Sequence, residues 1–130
     1  MSKTMKVLFI TVILFALLLS ACAAKTDAPA AAVAAYWKAM AAKDNAALSS
    51  LSCADYEATA VATMNSFISV DLVLTDLSCS STNNTGDKAD VTCKGSLSAS
   101  YGAEKFDFDL SNKLFLATNP AGDWLMCGEK

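Results

Sequence analysis

The amino-acid sequence predicts an α+β fold, in which N-terminal helices pack on an antiparallel sheet of four strands. Two observations support this class. Apolar residues recur with the period of a helix as far as Ile68, and with the period of a strand beyond it. Segments rich in turn-forming residues then separate the apolar stretches. Helices first and strands second is the order typical of an α+β domain.

Three helices are predicted. The first begins at Pro29, which suits the first turn of a helix, and Lys43-Asp44-Asn45 ends it. Asn45 is expected to cap a short second helix, and a third follows Asp55. The apolar stripe of the first helix is Val33, Tyr36, Trp37 and Met40. The expected buried side of the third is Val61, Met64 and Phe67.

Four strands are predicted after the helices. Strand one covers residues 70–79, and the polar residues 80–87 form a hairpin loop. Strand four is residues 124–127. The inward face of strand two is Ala89, Val91, Cys93, Leu97 and Ala99. The inward face of strand three is Phe106, Phe108, Leu110, Leu114 and Leu116.

The N-terminus has the parts of an export signal. Lys3 and Lys6 precede an uncharged apolar run over residues 7–19. As a helix this run is about 20 Å long, whereas a membrane span must cross about 30 Å of hydrocarbon. An uncleaved membrane anchor is therefore the less favoured interpretation.

The run ends in Leu19-Ser20-Ala21-Cys22, which resembles the lipobox of bacterial lipoproteins. The resemblance implies that residues 1–21 are a signal peptide and that the Cys22 thiol receives diacylglycerol. Residues 22–28 would then be an Ala-rich tether, and residues 29–130 a single domain. Two or three acyl chains hold a protein stably at a membrane. The expected location is extracytoplasmic, anchored to the outer membrane or to the outer face of the plasma membrane.

Four cysteines remain after Cys22, and an even number in a small exported domain predicts two disulfides. Strand alternation favours Cys79–Cys93 across the first hairpin, which leaves Cys53–Cys127 as the second pair. The other two pairings stay open. A four-thiolate zinc site is the alternative, but such sites usually present CxxC pairs, which this chain lacks. No metal site and no cofactor are predicted.

The chain is acidic. Its formal net charge is −3, and loss of Lys3 and Lys6 with the signal peptide makes it −5. It contains no His and no Arg. Nucleic-acid binding depends on clustered Lys and Arg at the phosphates, so no nucleic-acid partner is expected. The acyl chains on Cys22 would be the attachment to the membrane.

The Tyr36-Trp37 helix, the segment MAAKDNAALSSLSC and the closing GDWLMCG resemble the nuclear-transport-factor-2-like (cystatin-like) superfamily. In particular they resemble small bacterial lipoproteins of that fold, over residues 29–127. The resemblance implies a conical sheet curved around the first helix, often with an apolar cavity at its wide end. Five side chains are expected to line such a cavity, although the first three also suit a plain core: Tyr36, Trp37, Met40, Phe106 and Phe108.

Enzymes of that superfamily place a carboxylate base in the cavity with a His or Tyr partner. This chain lacks His, and Asp107 and Asp109 alternate with Phe106 and Phe108, so they should face solvent. A hydrolase pair or part of a calcium site is the alternative reading of these carboxylates. No catalytic residue is predicted.

The sequence therefore predicts a lipid-anchored, non-catalytic binding domain for a small apolar ligand, a peptide or an envelope protein. The alternatives are a structural interaction module of the cell envelope and, less favoured, an enzyme with a carboxylate base in the cone. A filled cavity, together with an exposed apolar patch on one face of the sheet, would favour an interaction module.

Overall fold

The computed structural model describes residues 26–130, so the predicted signal peptide and Cys22 lie outside the described residues. The helices are α1 (Ala28–Ala42), α2 (Asn45–Leu51) and α3 (Ala54–Ser66). The strands are β1 (Asp71–Thr82), β2 (Lys88–Tyr101), β3 (Glu104–Asp109), β4 (Leu114–Thr118) and β5 (Leu125–Glu129). The α+β class is confirmed, with helices before an open antiparallel sheet. The sheet has five strands, so the prediction of four is corrected.

The long strand β2 is the centre of the sheet. On one side it pairs with β1 along most of its length. Its other side is shared, because β4 pairs with the first half of β2 and β3 pairs with the second half. The last strand, β5, pairs with β4.

The extra strand arises because the predicted third strand is interrupted by a turn. The Asp109 carboxylate accepts hydrogen bonds from the Ser111 backbone N–H at 2.8 Å and from the Asn112 side chain at 3.2 Å. Asp and Asn side chains often stabilise turns in this way. The interruption changes which residues face inward, so that Phe115 and Ala117 are buried while Leu114 and Leu116 are half-buried. The prediction that Leu114 and Leu116 face inward is therefore wrong.

A bulge in β1 keeps its apolar side chains on one face. The register with β2 shifts between Thr75 and Ser78, and Asp76 has a φ of 54°. A bulge adds one residue to one strand, so Leu74 and Leu77 both point inward despite their odd spacing. Gly95 lies opposite with a φ of 107°, and a Cβ there would lie 2.5 Å from the Thr75 carbonyl oxygen.

The core lies between α1 and the sheet. Helix α1 packs against β1, β2, β4 and β5, and α2 and α3 join it on the same side. The largest fully buried side chains come from α1, α2, β2, β4 and β5 and from the residue that follows β3: Tyr36, Phe115, Met40, Leu48, Leu97, Leu110, Met126, Val33 and Val91. In α3 the buried residues are Ala60 and Met64, with the predicted Val61 and Phe67 half-buried.

Two aspartates begin the first two helices. Asp27 accepts a hydrogen bond from the Ala30 N–H at 3.3 Å, and helix α1 begins at Ala28. Asp44, rather than the predicted Asn45, caps α2 by accepting from the Ala47 N–H at 3.0 Å. Either side chain type caps a helix well. Asp44 holds the position because Lys43 has already left the helical conformation, with a φ of 54°.

Both predicted disulfides are confirmed. Cys79 and Cys93 are direct partners in the β1–β2 register, with Cα atoms 4.0 Å apart. Cys53 and Cys127 have Cα atoms 5.2 Å apart, and the Cys53 N–H donates to the Met126 carbonyl beside them. All four sulfurs are used in these bonds, so none is available as a thiolate ligand for zinc.

Within residues 26–130, none of the helices is long and apolar enough to cross a membrane.

Candidate functional site

Four large apolar side chains are exposed around the end of the sheet where β1 begins and β2 ends. We call them the aromatic patch: Ile68, Tyr101, Phe106 and Phe108. Their exposed fractions are 61%, 64%, 57% and 40% respectively. Single exposed apolar residues are ordinary on a protein surface, but a cluster of them often marks an interaction site.

The strand register shows that the patch continues the core-facing side of the sheet. Directly opposed residues in an antiparallel pair share a face. Phe106 is opposite Ala99 and Phe108 is opposite Leu97. Because Leu97 and Ala99 are buried in the core layer, both phenylalanines point to the side that the helices cover elsewhere.

Part of the aromatic patch packs against the end of α3. Phe67, at the end of α3, contacts Phe108 edge to face, with ring centroids 5.7 Å apart. Ile68 follows Phe67 directly, and its carbonyl accepts a hydrogen bond from the Lys43 ammonium at 3.2 Å. These contacts hold the Phe108 ring and the Ile68 main chain in place, while both side chains remain exposed.

The other face of β3 is charged. Asp107 accepts a hydrogen bond from the Ser98 hydroxyl and lies 3.6 Å from the Lys105 ammonium. The Ser98 hydrogen bond, aided by Lys105, lowers the pKa of Asp107. The backbone N–H of Ser111 lowers the pKa of Asp109. Both carboxylates are therefore ionised at neutral pH, and their predicted solvent exposure is confirmed.

The side chains expected to line a cavity lie in two different environments. Tyr36 and Met40 are fully buried in the core, and Trp37 is half-buried. Trp37 contacts Tyr36 and Phe115 edge to face, at centroid distances of 5.4 and 5.5 Å. Phe106 and Phe108 are on the exposed patch. A shared cavity for these five residues stays a prediction.

The core environment of Tyr36 does not resemble that of a proton-transfer group. Burial, together with a hydrogen bond to Tyr56, raises the pKa of Tyr36 far above its ordinary value. A general base or acid works best with a pKa near the operating pH. Within residues 26–130, no group of three or more His, Cys, Asp or Glu side chains is arranged to hold a metal ion.

Two surface grooves lie away from the patch. One, of about 570 Å³, lies where α1 begins and is mostly apolar, with Ala28, Leu51 and Trp124 in its lining. The other, of about 420 Å³, is polar and includes Ser78, Thr92 and Lys94. Neither groove contains Tyr36, Trp37 or Met40 in its lining.

The sequence pattern does not identify Ile68 or Tyr101 as site residues. One signal for Tyr101 was present in the sequence. Tyr101 is two and four positions after Ala99 and Leu97 along the second strand, so its side chain extends their apolar face. For Ile68 there was no such signal, since it precedes the strand and its position depends on how α3 ends.

We expect Trp37 to act as a core residue. Its indole N–H is buried and has no hydrogen-bond partner. Trp37→Ala should lower the free energy of unfolding by about 3 kcal/mol through the cavity it leaves. Trp37→Phe should cost much less, because it keeps most of the ring and removes the unpaired donor. Urea unfolding of both variants tests this, and equal losses would show that the indole N–H is satisfied in solution.

Comparisons with protein-family models, with curated proteins and with solved structures find no match for this chain. The resemblance to the nuclear-transport-factor-2-like superfamily stays a prediction. The function must therefore be argued from the geometry of the chain itself.

Proposed function

We propose that this protein is a lipid-anchored extracytoplasmic domain, without catalytic activity, that binds another protein of the cell envelope through the aromatic patch. The observation that supports this proposal is the clustering of Ile68, Tyr101, Phe106 and Phe108 at one end of the sheet, each at least 40% exposed. Anchoring by acyl chains on Cys22 supplies the location, and the two disulfides are compatible with it.

The chemistry of the patch suits a protein partner. Aromatic side chains offer a large contact area and lose little conformational entropy when they are fixed. Residues of this kind dominate the binding energy of many protein interfaces. The charged residues beside the patch, Lys105 and Asp107, would form a polar rim, which is the usual anatomy of an interface.

The electrostatics also favour binding over catalysis. Asp27, Asp90, Asp107 and Asp109 all have lowered pKa values. At Asp27 burial raises the pKa, but hydrogen bonds from Ser81 and Ala30 outweigh that effect. A carboxyl group that acts as a general acid at neutral pH would need a raised pKa, and burial away from hydrogen-bond donors is how proteins produce one.

Site-specific photo-cross-linking in intact cells tests the proposal. A photoreactive amino acid replaces Phe106 in one variant and Val73 in the control. Val73 is a matched position because it is 58% exposed, against 57% for Phe106, and it lies on the opposite face of the sheet. We expect one discrete protein adduct from position 106 and none from position 73.

A second substitution gives the quantitative result. Phe106→Ser should weaken binding of the purified, cross-linked partner to the mature lipoprotein about tenfold, because truncating an aromatic side chain at an interface hot spot costs about 1 to 2 kcal/mol. Val73→Ser should change the affinity less than about twofold. Equal adducts from positions 73 and 106, or an adduct with lipid alone at position 106, would contradict the proposal.

A further inference from the structure

Strand β3 has an open edge directly beside the aromatic patch. Within residues 26–130 it pairs only with β2. The Leu110 N–H donates to the Gly95 carbonyl at 3.0 Å, and hydrogen bonding alternates along an antiparallel strand. The main-chain N–H and C=O groups of Phe106 and Phe108 therefore form hydrogen bonds with β2. Those of Lys105, Asp107 and Asp109 point outward, away from β2. Such a row of unpaired groups can accept another strand.

The other strand edges are protected. On β1 the bulge at Asp76 interrupts the edge, and the Ser81 N–H donates to the Asp27 carboxylate at 2.8 Å. On β5 the connection between α2 and α3 lies against the strand, with a bridge between Ser52 and Met126. Bulges, covering segments and charged side chains are means by which proteins block strand addition. Among the described strands, β3 has neither a bulge nor a covering segment, and although four of its six residues are charged, all six are exposed.

The two faces of β3 define the chemistry of a segment that fits beside it. On the inner face Glu104 lies at the start of the strand, opposite Tyr101, and Phe106 and Phe108 would meet apolar side chains. On the outer face, Asp107 and Asp109 outnumber Lys105, so basic side chains would be the complement. Because successive side chains of a strand point to opposite faces, the fitting segment alternates apolar and basic residues.

The anchoring membrane is a poor occupant for this edge, because hydrocarbon offers no hydrogen-bond partner for the outward main-chain groups of Lys105, Asp107 and Asp109. The tether is also attached at the other end of the sheet. Asp27 accepts hydrogen bonds from the Ser81 N–H at 2.8 Å and from the Ser81 hydroxyl at 2.6 Å. Ser81 is opposite Val91, and Phe106 is opposite Ala99. From Val91 to Ala99 the sheet extends roughly 26 Å. The chain from Cys22 to Asp27 spans at most about 18 Å, so the tether leaves from the end of the sheet opposite the patch.

The same geometry argues against a second copy. Antiparallel pairing of two β3 edges places a two-fold axis perpendicular to the sheet, which reverses the direction of β2 in the partner copy. The two tethers would then leave from opposite ends of the joined sheet. Two copies anchored to one membrane can meet in this way only if the joined sheet lies parallel to the bilayer, where both tethers reach it.

Resting on the proposed function, we infer that the open edge of β3 binds an extended segment of the partner protein as an added strand, and that this segment alternates apolar and basic side chains. Strand addition of this kind takes its affinity from main-chain hydrogen bonds and its specificity from alternate side chains. The phenylalanines of the patch would supply the apolar contacts on one face, and Asp107 and Asp109 the ionic contacts on the other.

The test uses the mature lipoprotein in phosphatidylcholine nanodiscs and two capped hexapeptides of equal composition. One has the sequence Lys-Val-Lys-Val-Lys-Val and the other Lys-Lys-Lys-Val-Val-Val. The alternating peptide should bind saturably and at least about tenfold more tightly than the block peptide. On binding it should protect the Lys105, Asp107 and Asp109 amides from hydrogen exchange, whereas the amides of Phe106 and Phe108 are protected already.

Two substitutions at one position separate the backbone from the charge. Asp107→Ala and Asp107→Pro both remove the carboxylate, but only Pro removes the outward N–H, and proline is tolerated on edge strands. Asp107→Pro should bind the alternating peptide at least about fivefold more weakly than Asp107→Ala. Circular dichroism checks the folding of both, and the exchange measurement on the wild-type protein is independent of them.

Each contrary outcome has a definite meaning. Equal affinity for the two peptides, or amides that stay unprotected, overturns strand addition. Protection of the three amides in nanodiscs before any peptide is added would identify the bilayer or a second copy as the occupant, and also overturns it. If Asp107→Pro and Asp107→Ala bind alike while Phe106→Ser still loses the cross-linked partner, the proposed function stands and only strand addition fails.

Discussion

Replacing Cys22 with Ser is expected to leave an uncleaved precursor that carries no acyl chain. In lipoproteins with the motif that Leu19-Ser20-Ala21-Cys22 resembles, diacylglycerol is transferred to the cysteine sulfur, and cleavage follows that transfer. The serine hydroxyl does not accept the lipid in this pathway. The effect should therefore be complete rather than partial, and the intact mass of the protein, measured from membrane fractions, would report it.

A neighbouring substitution serves as the control. Ala23→Ser makes a comparable change one residue away and should leave both lipidation and cleavage as in the wild-type protein. A Cys22→Ser protein that still loses residues 1–21 would show that cleavage does not need the thiol, and the lipobox interpretation would be wrong. In that case the proposed extracytoplasmic location would rest on the export signal and the disulfides alone.

Removing the Cys53–Cys127 disulfide is expected to destabilise the domain more than removing the Cys79–Cys93 disulfide. The two cysteines are 74 residues apart in sequence, against 14 for Cys79 and Cys93. A longer closed loop removes more entropy from the unfolded chain, which predicts about 4.5 kcal/mol for the first disulfide and about 3 kcal/mol for the second. Small domains have a total stability of about 5 to 15 kcal/mol, so the first loss is a large share.

Two double variants measure this difference. Cys53→Ala with Cys127→Ala is compared with Cys79→Ala with Cys93→Ala, by urea unfolding under identical conditions. Alanine is used because Cys93 is buried, and a serine hydroxyl there would add the cost of an unpaired polar group. Equal losses, or a larger loss from the second pair, would show that loop entropy is not the main contribution of these bonds.

The agreement between sequence and structure is best where the controlling interactions are local. The first helix, the β1–β2 hairpin and the pairing of Cys79 with Cys93 follow from periodicity and turn residues that lie close together in the chain. The second disulfide followed only by elimination, since nothing local relates Cys53 to Cys127. It forms because the connection between α2 and α3 lies beside β5, where the Cys53 N–H bonds to Met126.

The predicted third strand, which became β3 and β4, shows why alternation of apolar and polar residues is not sufficient to predict a continuous strand. Its residues alternate correctly as far as Asp109, and the expected inward side of Phe106 and Phe108 agrees with the register. Beyond Asp109 the carboxylate bonds to Ser111 and Asn112, the chain turns, and the inward residues become Phe115 and Ala117. A side chain that stabilises a turn competes with a continuous strand, and alternation does not show which of the two prevails.

The kind of each element, and the face to which most apolar side chains point, follow from repeats of two or about 3.6 residues in the chain. Which part of the apolar face is covered depends on how the helices and the sheet pack together. Helix α1 packs against β1, β2, β4 and β5, whereas Phe67 at the end of α3 is the aromatic contact to β3. The inner face of β3 is therefore left partly open, and Phe106 and Phe108, which the sequence pattern assigns to the interior, form the exposed patch. Coverage depends on where the helices lie over the sheet, and no local repeat in the chain encodes that.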